Sequence, residues 1–225
     1  MTDSPAVRTV LFDIDGTLVD SNYLHIDAWS RAFASIERPI AAWRIHRRIG
    51  MDGSLLLDDL LGADAAELGE RAKAVHDRLY ADMADRLRPF AGARELLTTL
   101  DRRGIRVVLA TSAPQQELDR LLPVLDVPHA IDVVTSSEDT ETAKPAPDVV
   151  QTALERAETD PRDALFVGDA VWDMSAAGRA GVRSIAVRTG GYGEDELRSA
   201  GAVAVYDDVA AIAADLERLL AGTAR

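Results

Sequence analysis

Two pairs of aspartates are spaced to do chemistry together. Asp13 and Asp15 lie in Phe12-Asp13-Ile14-Asp15-Gly16-Thr17-Leu18-Val19-Asp20, directly after an apolar run. Asp169 and Asp173 lie in Gly168-Asp169-Ala170-Val171-Trp172-Asp173, after a second apolar run. Carboxylates crowded into a dry crevice cannot all be ionised cheaply unless a cation or hydrogen bonds compensate them. Asp173 follows Asp169 by one helical turn, so both can face one crevice. The plain alternatives are an Asp-Gly turn with a capping Asp at the first pair and a helix cap at the second. A cap explains one residue of the second pair. It leaves unexplained why two run ends both supply carboxylates.

Two further groups could serve an anion. Thr111-Ser112 precedes Ala113-Pro114, where a hydroxyl and unpaired backbone amides at a helix start make an anion site. The same residues also read as an ordinary helix-start signal. Lys144, just before Pro145, is one of two lysines, the other being Lys73. A loop could return it to the carboxylates, although a lone lysine is more commonly solvated.

These residues need elements to hold them. Val7–Phe12 reads as a strand buried on both faces, as in a covered parallel sheet, and Arg106–Ala110, Ala130–Val134, Leu165–Val167 and Val182–Val187 read the same way. Helical patterns over Ala93–Arg103, Gln115–Leu122, Ala146–Ala157 and Met174–Ala180 separate them, and Val209–Leu220 closes the chain. This alternation predicts an α/β fold with a doubly wound, mostly parallel, Rossmann-like sheet. Asp13, Asp15, Thr111, Ser112 and Asp169 then fall just past strands, where open sheets of this kind bind ligands. The segment after Asp20 breaks the rhythm with four predicted helices, Asn22–Ser35, Ala41–Ile49, Ser54–Leu61 and Ala65–Arg86, and no strand. An all-helical cap domain over 21–86, inserted in a core domain of 1–20 and 87–225, accommodates them. Gly190-Gly191-Tyr192-Gly193 lacks a following phosphate-loop lysine and reads as a mobile surface loop.

Composition narrows the chemistry. With 225 residues, 47% hydrophobic, the chain can bury a sizeable core. It has no cysteine, which excludes thiolate nucleophiles, thiolate metal sites and disulfides. Its net charge of −13 opposes nonspecific binding of nucleic acid. Neither an export signal nor a membrane span is legible, so a cytoplasmic protein without a membrane partner is expected.

Taken in order, Asp13-x-Asp15-Gly16-Thr17, Thr111-Ser112, Lys144-Pro145 and Gly168-Asp169 through Asp173 resemble the four motifs of the haloacid dehalogenase-like hydrolases. The helical block resembles the cap of the phosphoglycolate phosphatase and beta-phosphoglucomutase-like branch. The resemblance implies an Mg²⁺-dependent phosphatase acting on a small phosphorylated metabolite through an aspartyl-phosphate. By it, Asp13 attacks phosphorus, and Asp15 protonates the leaving oxygen and then activates water. Mg²⁺ is held by Asp13, the Asp15 carbonyl and Asp169; Asp173 orients a bound water or pairs with Lys144. Thr111 and the amides of Ser112 and Ala113 bind phosphoryl oxygens while Lys144 neutralises charge. A monomer or weak homodimer is expected. The carboxylate at Asp15 argues against carbon–halogen cleavage, since dehalogenases of the family lack it.

In the cap, Asn22, His25 and Trp29 share a helical stripe, and Arg44, His46, Arg47 and Arg48 form a basic group. Asn22, His25, Arg44, Arg47 and Arg48 are candidates for substrate recognition. Packing is the competing role for His25 and Trp29, and a solvated salt-bridged face for the arginines. A sugar phosphomutase needs a second phosphate-binding group, and Gly50–Ser54 has no arginine to supply one. A noncatalytic phosphometabolite-binding protein is the other alternative, and turnover discriminates it.

Overall fold

The computed structural model describes residues 7–140, 142 and 144–220. Its chain forms two compact units, Met1–Asp20 with Arg88–Arg225, and Ser21–Leu87.

The larger unit is built on six parallel strands: β1 (Thr9–Phe12), β2 (Arg106–Ala110), β3 (Val133–Thr135), β4 (Ala164–Gly168), β5 (Arg183–Val187) and β6 (Ala202–Tyr206). Their order is β3-β2-β1-β4-β5-β6, so the chain winds outward from β1 in one direction and then returns to start at β4 in the other. That reversal is the switch point at which open α/β sheets leave a crevice beyond the strand ends. Phe12 is aligned with Leu109 of β2 and Val167 of β4, so three strands end at one level.

Both faces of the sheet are covered, which explains the unbroken apolar runs. Val10, Phe12, Leu165 and Val167 meet Leu96 and Leu100 of α5 (Ala93–Arg102), Ile212 of α10 (Val209–Ala214) and Leu216 of α11 (Leu216–Leu220). Leu11, Val108 and Phe166 pack on the other face against α7 (Asp148–Arg156) and α8 (Val171–Arg179). Ala176 and Ala177 are fully buried there, and their small side chains let α8 lie close to the sheet. α6 (Gln115–Leu125) follows β2.

The smaller unit is helical: α1 (Asn22–Ser35), α2 (Ala42–His46), α3 (Gly53–Leu61) and α4 (Ala65–Ala81). Ala28 and Ala32 of α1 and Ala72 of α4 are fully buried. Trp29, Phe33, Ile45, Leu56 and Leu57 fill the core around them.

Several elements differ from expectation. The third strand begins at Val133 because Pro128–Ala130 makes a 3₁₀ turn. The sixth strand and α9 (Glu194–Ser199) have no counterpart in the reading of the sequence. The terminal helix breaks at Asp215, which accepts from Tyr206 Oη at 2.6 Å. α2 stops at His46, so Arg47 and Arg48 lie on the turn beyond it and not on a helix running to Ile49. The Gly190–Gly193 segment is anchored: Gly190 is buried, and Tyr192 packs with Ala170, Met174 and Leu197.

Candidate active site

Asp13 leaves β1 as its amide donates to the Val167 carbonyl at 2.9 Å, which ties the β1 exit to β4. The chain then folds tightly on itself. Leu18 and Val19 both donate to the Ile14 carbonyl, at 2.9 and 3.0 Å, and Gly16 donates to the Val19 carbonyl at 2.8 Å. Gly16 sits at φ 73°, a left-handed conformation that suits glycine.

Lys144 reaches the same place from 131 residues away. Its Nζ donates to Asp13 Oδ1 at 2.5 Å and stands 2.7 Å from Asp173 Oδ1, with its side chain 1% exposed. It also lies 5.4 Å from the Phe166 ring centroid, a cation–π contact. The surface reading of this lysine does not hold.

Asp173 serves two elements at once. Its Oδ2 accepts from the amides of Ala170 at 3.0 Å and Asp169 at 3.2 Å, capping α8, while Oδ1 faces Lys144. Gly168 permits this return, since a Cβ there would stand 2.6 Å from the Asp173 side chain. Asp173 thus caps α8 and pairs with Lys144 at once.

Asp169 is braced from both sides. Thr17 Oγ1 donates to its Oδ1 at 2.9 Å, and a Cβ on Gly190 would overlap its Oδ2. Thr189, beside that glycine, donates to the Gly16 carbonyl. Sequence reasoning gave Thr17, Thr189 and Gly190 no role; only the glycine-rich run after β5 signalled the last of them.

One oxygen from each of Asp13, Asp169 and Asp173 lies within 4.8 Å of the others, and all three residues are buried. Lys144 alone does not balance so much negative charge. Burial pushes the Asp13 carboxyl up to about 7; Lys144 pulls it down, but Asp173 and Asp15 push it up again. Burial works against charge on Lys144 too, yet Asp13 and Asp173 hold it above the ordinary lysine value. A hard divalent cation fits this oxygen-only, cation-poor pocket.

Thr111 continues β2 one strand from Asp13 and is buried. Its Oγ1 accepts from the Ala113 amide at 3.0 Å, so that amide already has a partner and the expected free donor there is corrected. Ser112 Oγ is buried with no hydrogen-bond partner among the described residues. Such an orphaned hydroxyl marks a place for a polar ligand.

In the helical unit, Asn22 is buried at the start of α1. Trp29 is buried and stacks on Phe33 and His76, a packing role. His25 Nδ1 lies 3.1 Å from His76 Nε2. Arg44 is exposed and Arg47 half-buried. Arg48 pairs with Asp59 at 2.7 Å, the structural role weighed against recognition. No helix among the described residues is long and apolar enough to cross a membrane.

The chain has known relatives. The model of the haloacid dehalogenase-like hydrolase family matches residues 7–181. A protein of Caldanaerobacter subterraneus subsp. tengcongensis named as a candidate pyrophosphatase, PpaX, is 32% identical over 183 residues, covering 81% of this chain and 82% of its own. A phosphorylated carbohydrates phosphatase of Thermotoga maritima is 30% identical, with 80% and 84% covered. A phosphoglycolate phosphatase of Rhodospirillum rubrum is 30% identical, with 91% and 89% covered. The crystal structure of a hydrolase from Pseudomonas syringae superposes with a TM-score of 0.90 at 34% identity, covering 96% of this chain and 99% of that one. The chain belongs to the haloacid dehalogenase-like hydrolases, as a phosphoric monoester hydrolase.

Proposed function

We propose that the protein is an Mg²⁺-dependent phosphatase of small phosphorylated metabolites, working through an aspartyl-phosphate on Asp13. The observation that carries this reading is the acidic pocket at the switch point, where three buried carboxylates lie within 4.8 Å of one another and two of them, Asp13 and Asp173, share one lysine. Asp13, the Asp15 carbonyl and Asp169 would hold Mg²⁺, which supplies Lewis-acid compensation of phosphoryl charge.

The residues divide the work as follows. A carboxylate oxygen of Asp13 bonds to phosphorus as the bond to the ester oxygen breaks. Asp15 gives its proton to that departing oxygen. Asp15 then takes a proton from water as the water oxygen bonds to phosphorus, and the bond from Asp13 to phosphorus breaks, releasing phosphate. Lys144 neutralises charge on the transferring group and fixes the attacking carboxylate. Thr111 and Ser112 offer hydroxyls to phosphoryl oxygens; the paired Ala113 amide supports them through Thr111. Asp173 positions Lys144.

The helical unit acts as a substrate-selecting cap, with Asn22, His25, Arg44 and Arg47 as recognition candidates. The names of the relatives support a sugar phosphate or phosphoglycolate as substrate. The experiment is a panel of phosphoglycolate, hexose and pentose phosphates, pyrophosphate and nucleotides. Phosphate release and isomer formation are followed with and without a sugar bisphosphate. Release from one or two small esters is expected. Isomerisation without net release, or no turnover on any ester, would overturn the reading.

A further inference from the structure

The ends of β1, β4 and β5 are tied into a closed ring, with β4 lying between the other two in the sheet. Thr189, just past β5, donates from Oγ1 to the Gly16 carbonyl in the turn after β1. The next residue of that turn, Thr17, donates from Oγ1 to Asp169 Oδ1 at 2.9 Å, at the exit of β4. The Asp169 carboxylate leads back to the β5 side, since a Cβ on Gly190 would overlap its Oδ2. The peptide bond from Thr189 to Gly190 closes the ring. Thr17 is fully buried, as are Gly16, Asp169 and Gly190, and Thr189 is half-buried, so the ring lies inside the core unit.

Each member is suited to holding Asp169. The two threonine bonds span 152 and 173 positions, so neither is a local turn closure. The φ of Gly190 lies outside the left-handed region. Glycine is needed there for space and not for conformation. One carboxylate is thereby fixed at both oxygens: a hydroxyl holds Oδ1, and the backbone at Gly190 walls in Oδ2. It cannot rotate without breaking a hydrogen bond or meeting that wall.

Rigidity of a ligand decides between cations of different size. Mg²⁺ takes oxygens in a near-ideal octahedron at about 2.0–2.1 Å, whereas Ca²⁺ accepts about six to eight at about 2.3–2.6 Å in adaptable geometry. A fixed carboxylate favours the smaller ion, because its oxygens cannot move to suit the larger one. We infer that Thr17, Thr189 and Gly190 are positioning residues that make the acidic pocket select Mg²⁺ over Ca²⁺ by holding Asp169 rigid. The inference rests on the Mg²⁺ reading of this pocket and deepens it.

Mn²⁺, which shares the preference of Mg²⁺ for six oxygens, serves as the probe. Its free-ion paramagnetic resonance signal is lost on binding to the metal-free full chain, and displacement by Mg²⁺ or Ca²⁺ gives the affinity of each. The wild type should hold Mg²⁺ the more tightly. Thr17→Val keeps the shape of the side chain and removes the donor. It should weaken Mg²⁺ about tenfold, as loss of a partner behind a metal ligand does, and Ca²⁺ by less than about threefold. Thr189→Val and Gly190→Ala should shift the ratio of the two affinities the same way. Thr17→Ser and Thr189→Ser, which keep the hydroxyl, should leave it near the wild-type value. Loss of packing alone would lower the melting temperature and leave the ratio where it was. A wild type that prefers Ca²⁺, equal weakening of both ions, or an unmoved ratio in the valine variants would overturn the inference. Circular dichroism checks that each variant folds, and if one valine variant does not, the other decides. A wild type that binds none of the three ions would instead refute the metal site on which the inference rests.

Discussion

Replacing Lys144 with methionine keeps an unbranched side chain one atom shorter and removes the cation between Asp13 and Asp173. In the native protein Nζ lies 2.5 Å from one carboxylate and 2.7 Å from the other, with the lysine side chain 1% exposed. Removing one partner of a buried ion pair costs about 3–5 kcal/mol. For a chain of this size that corresponds to a fall in Tm of about 6–20 °C. The penalty depends on pH in a defined direction. Asp13 already titrates at about 7 with the lysine present, and without it the carboxyl moves further up. Its ordinary value is 3.8, so between that value and the raised one the native state binds more protons than the unfolded state. Stability in this window is gained as pH falls and lost as pH rises. The variant should therefore lag the wild type most near pH 8 and least near pH 5.5. Metal-free urea denaturation followed by circular dichroism measures both gaps. The same variant should lose about 10²–10³ in kcat, the size of one lost charge-stabilising donor. A stability gap below about 1 kcal/mol near pH 8, or one that is equal at the two pH values, would refute the buried-triad argument.

Other outcomes follow from the same geometry. Asp15→Asn should slow the first step far more for alkyl than for aryl phosphates, because an aryl leaving group needs less protonation; burst kinetics on matched esters measure this, and equal losses would remove the acid role. Chelation should abolish turnover and Mg²⁺ restore it, and Asp169→Asn should raise the half-saturating Mg²⁺ concentration; titration calorimetry gives the same affinity without turnover. In the helical unit, burial lowers His76 to about 4 from 6.5, so the unfolded state takes up the proton first as pH falls. About 3 kcal/mol of stability, present above pH 6.5, is lost as pH falls toward 4, and His76→Gln should flatten that slope in urea denaturation.

The site was legible wherever chemistry lies in one short run beside a strand. Asp13 and Asp15 share one turn, and Asp169 and Asp173 share another, so spacing alone juxtaposes each pair. The lysine could be suspected because lysines are scarce. Its two partners could not be known, since the contact with Asp13 spans 131 positions. Thr189 reaches the Gly16 carbonyl across 173 positions, and His25 meets His76 across 51, separations that no local pattern records. Gly190 read as part of a mobile loop because flexibility and close backbone approach use the same residue; a Cβ there overlaps Asp169, which decides for close approach. The core sheet followed from its apolar runs, but β6 is an edge strand that buries only its two alanines and leaves Val203, Val205 and Tyr206 half-exposed. α9, with six residues, is too short for a period to show. The pattern over Ala41–Ile49 reads as one helix carrying all three arginines, whereas the short α2 puts Arg48 on a turn and into an ion pair with Asp59.

The central claim is that Asp13 carries the phosphoryl group, and covalent trapping tests it most directly. The enzyme is mixed with Mg²⁺ and a turned-over phosphate ester, quenched in acid during steady state, and reduced with borohydride, which converts an acyl phosphate to an alcohol. Tandem mass spectrometry then locates the reduced residue. The expected result is homoserine at position 13, dependent on both Mg²⁺ and substrate and absent from Asp13→Asn. Reduction at Asp15, Asp169 or any other carboxylate, or turnover with no trapped residue under conditions where phosphoenzyme hydrolysis is rate-limiting, would contradict it.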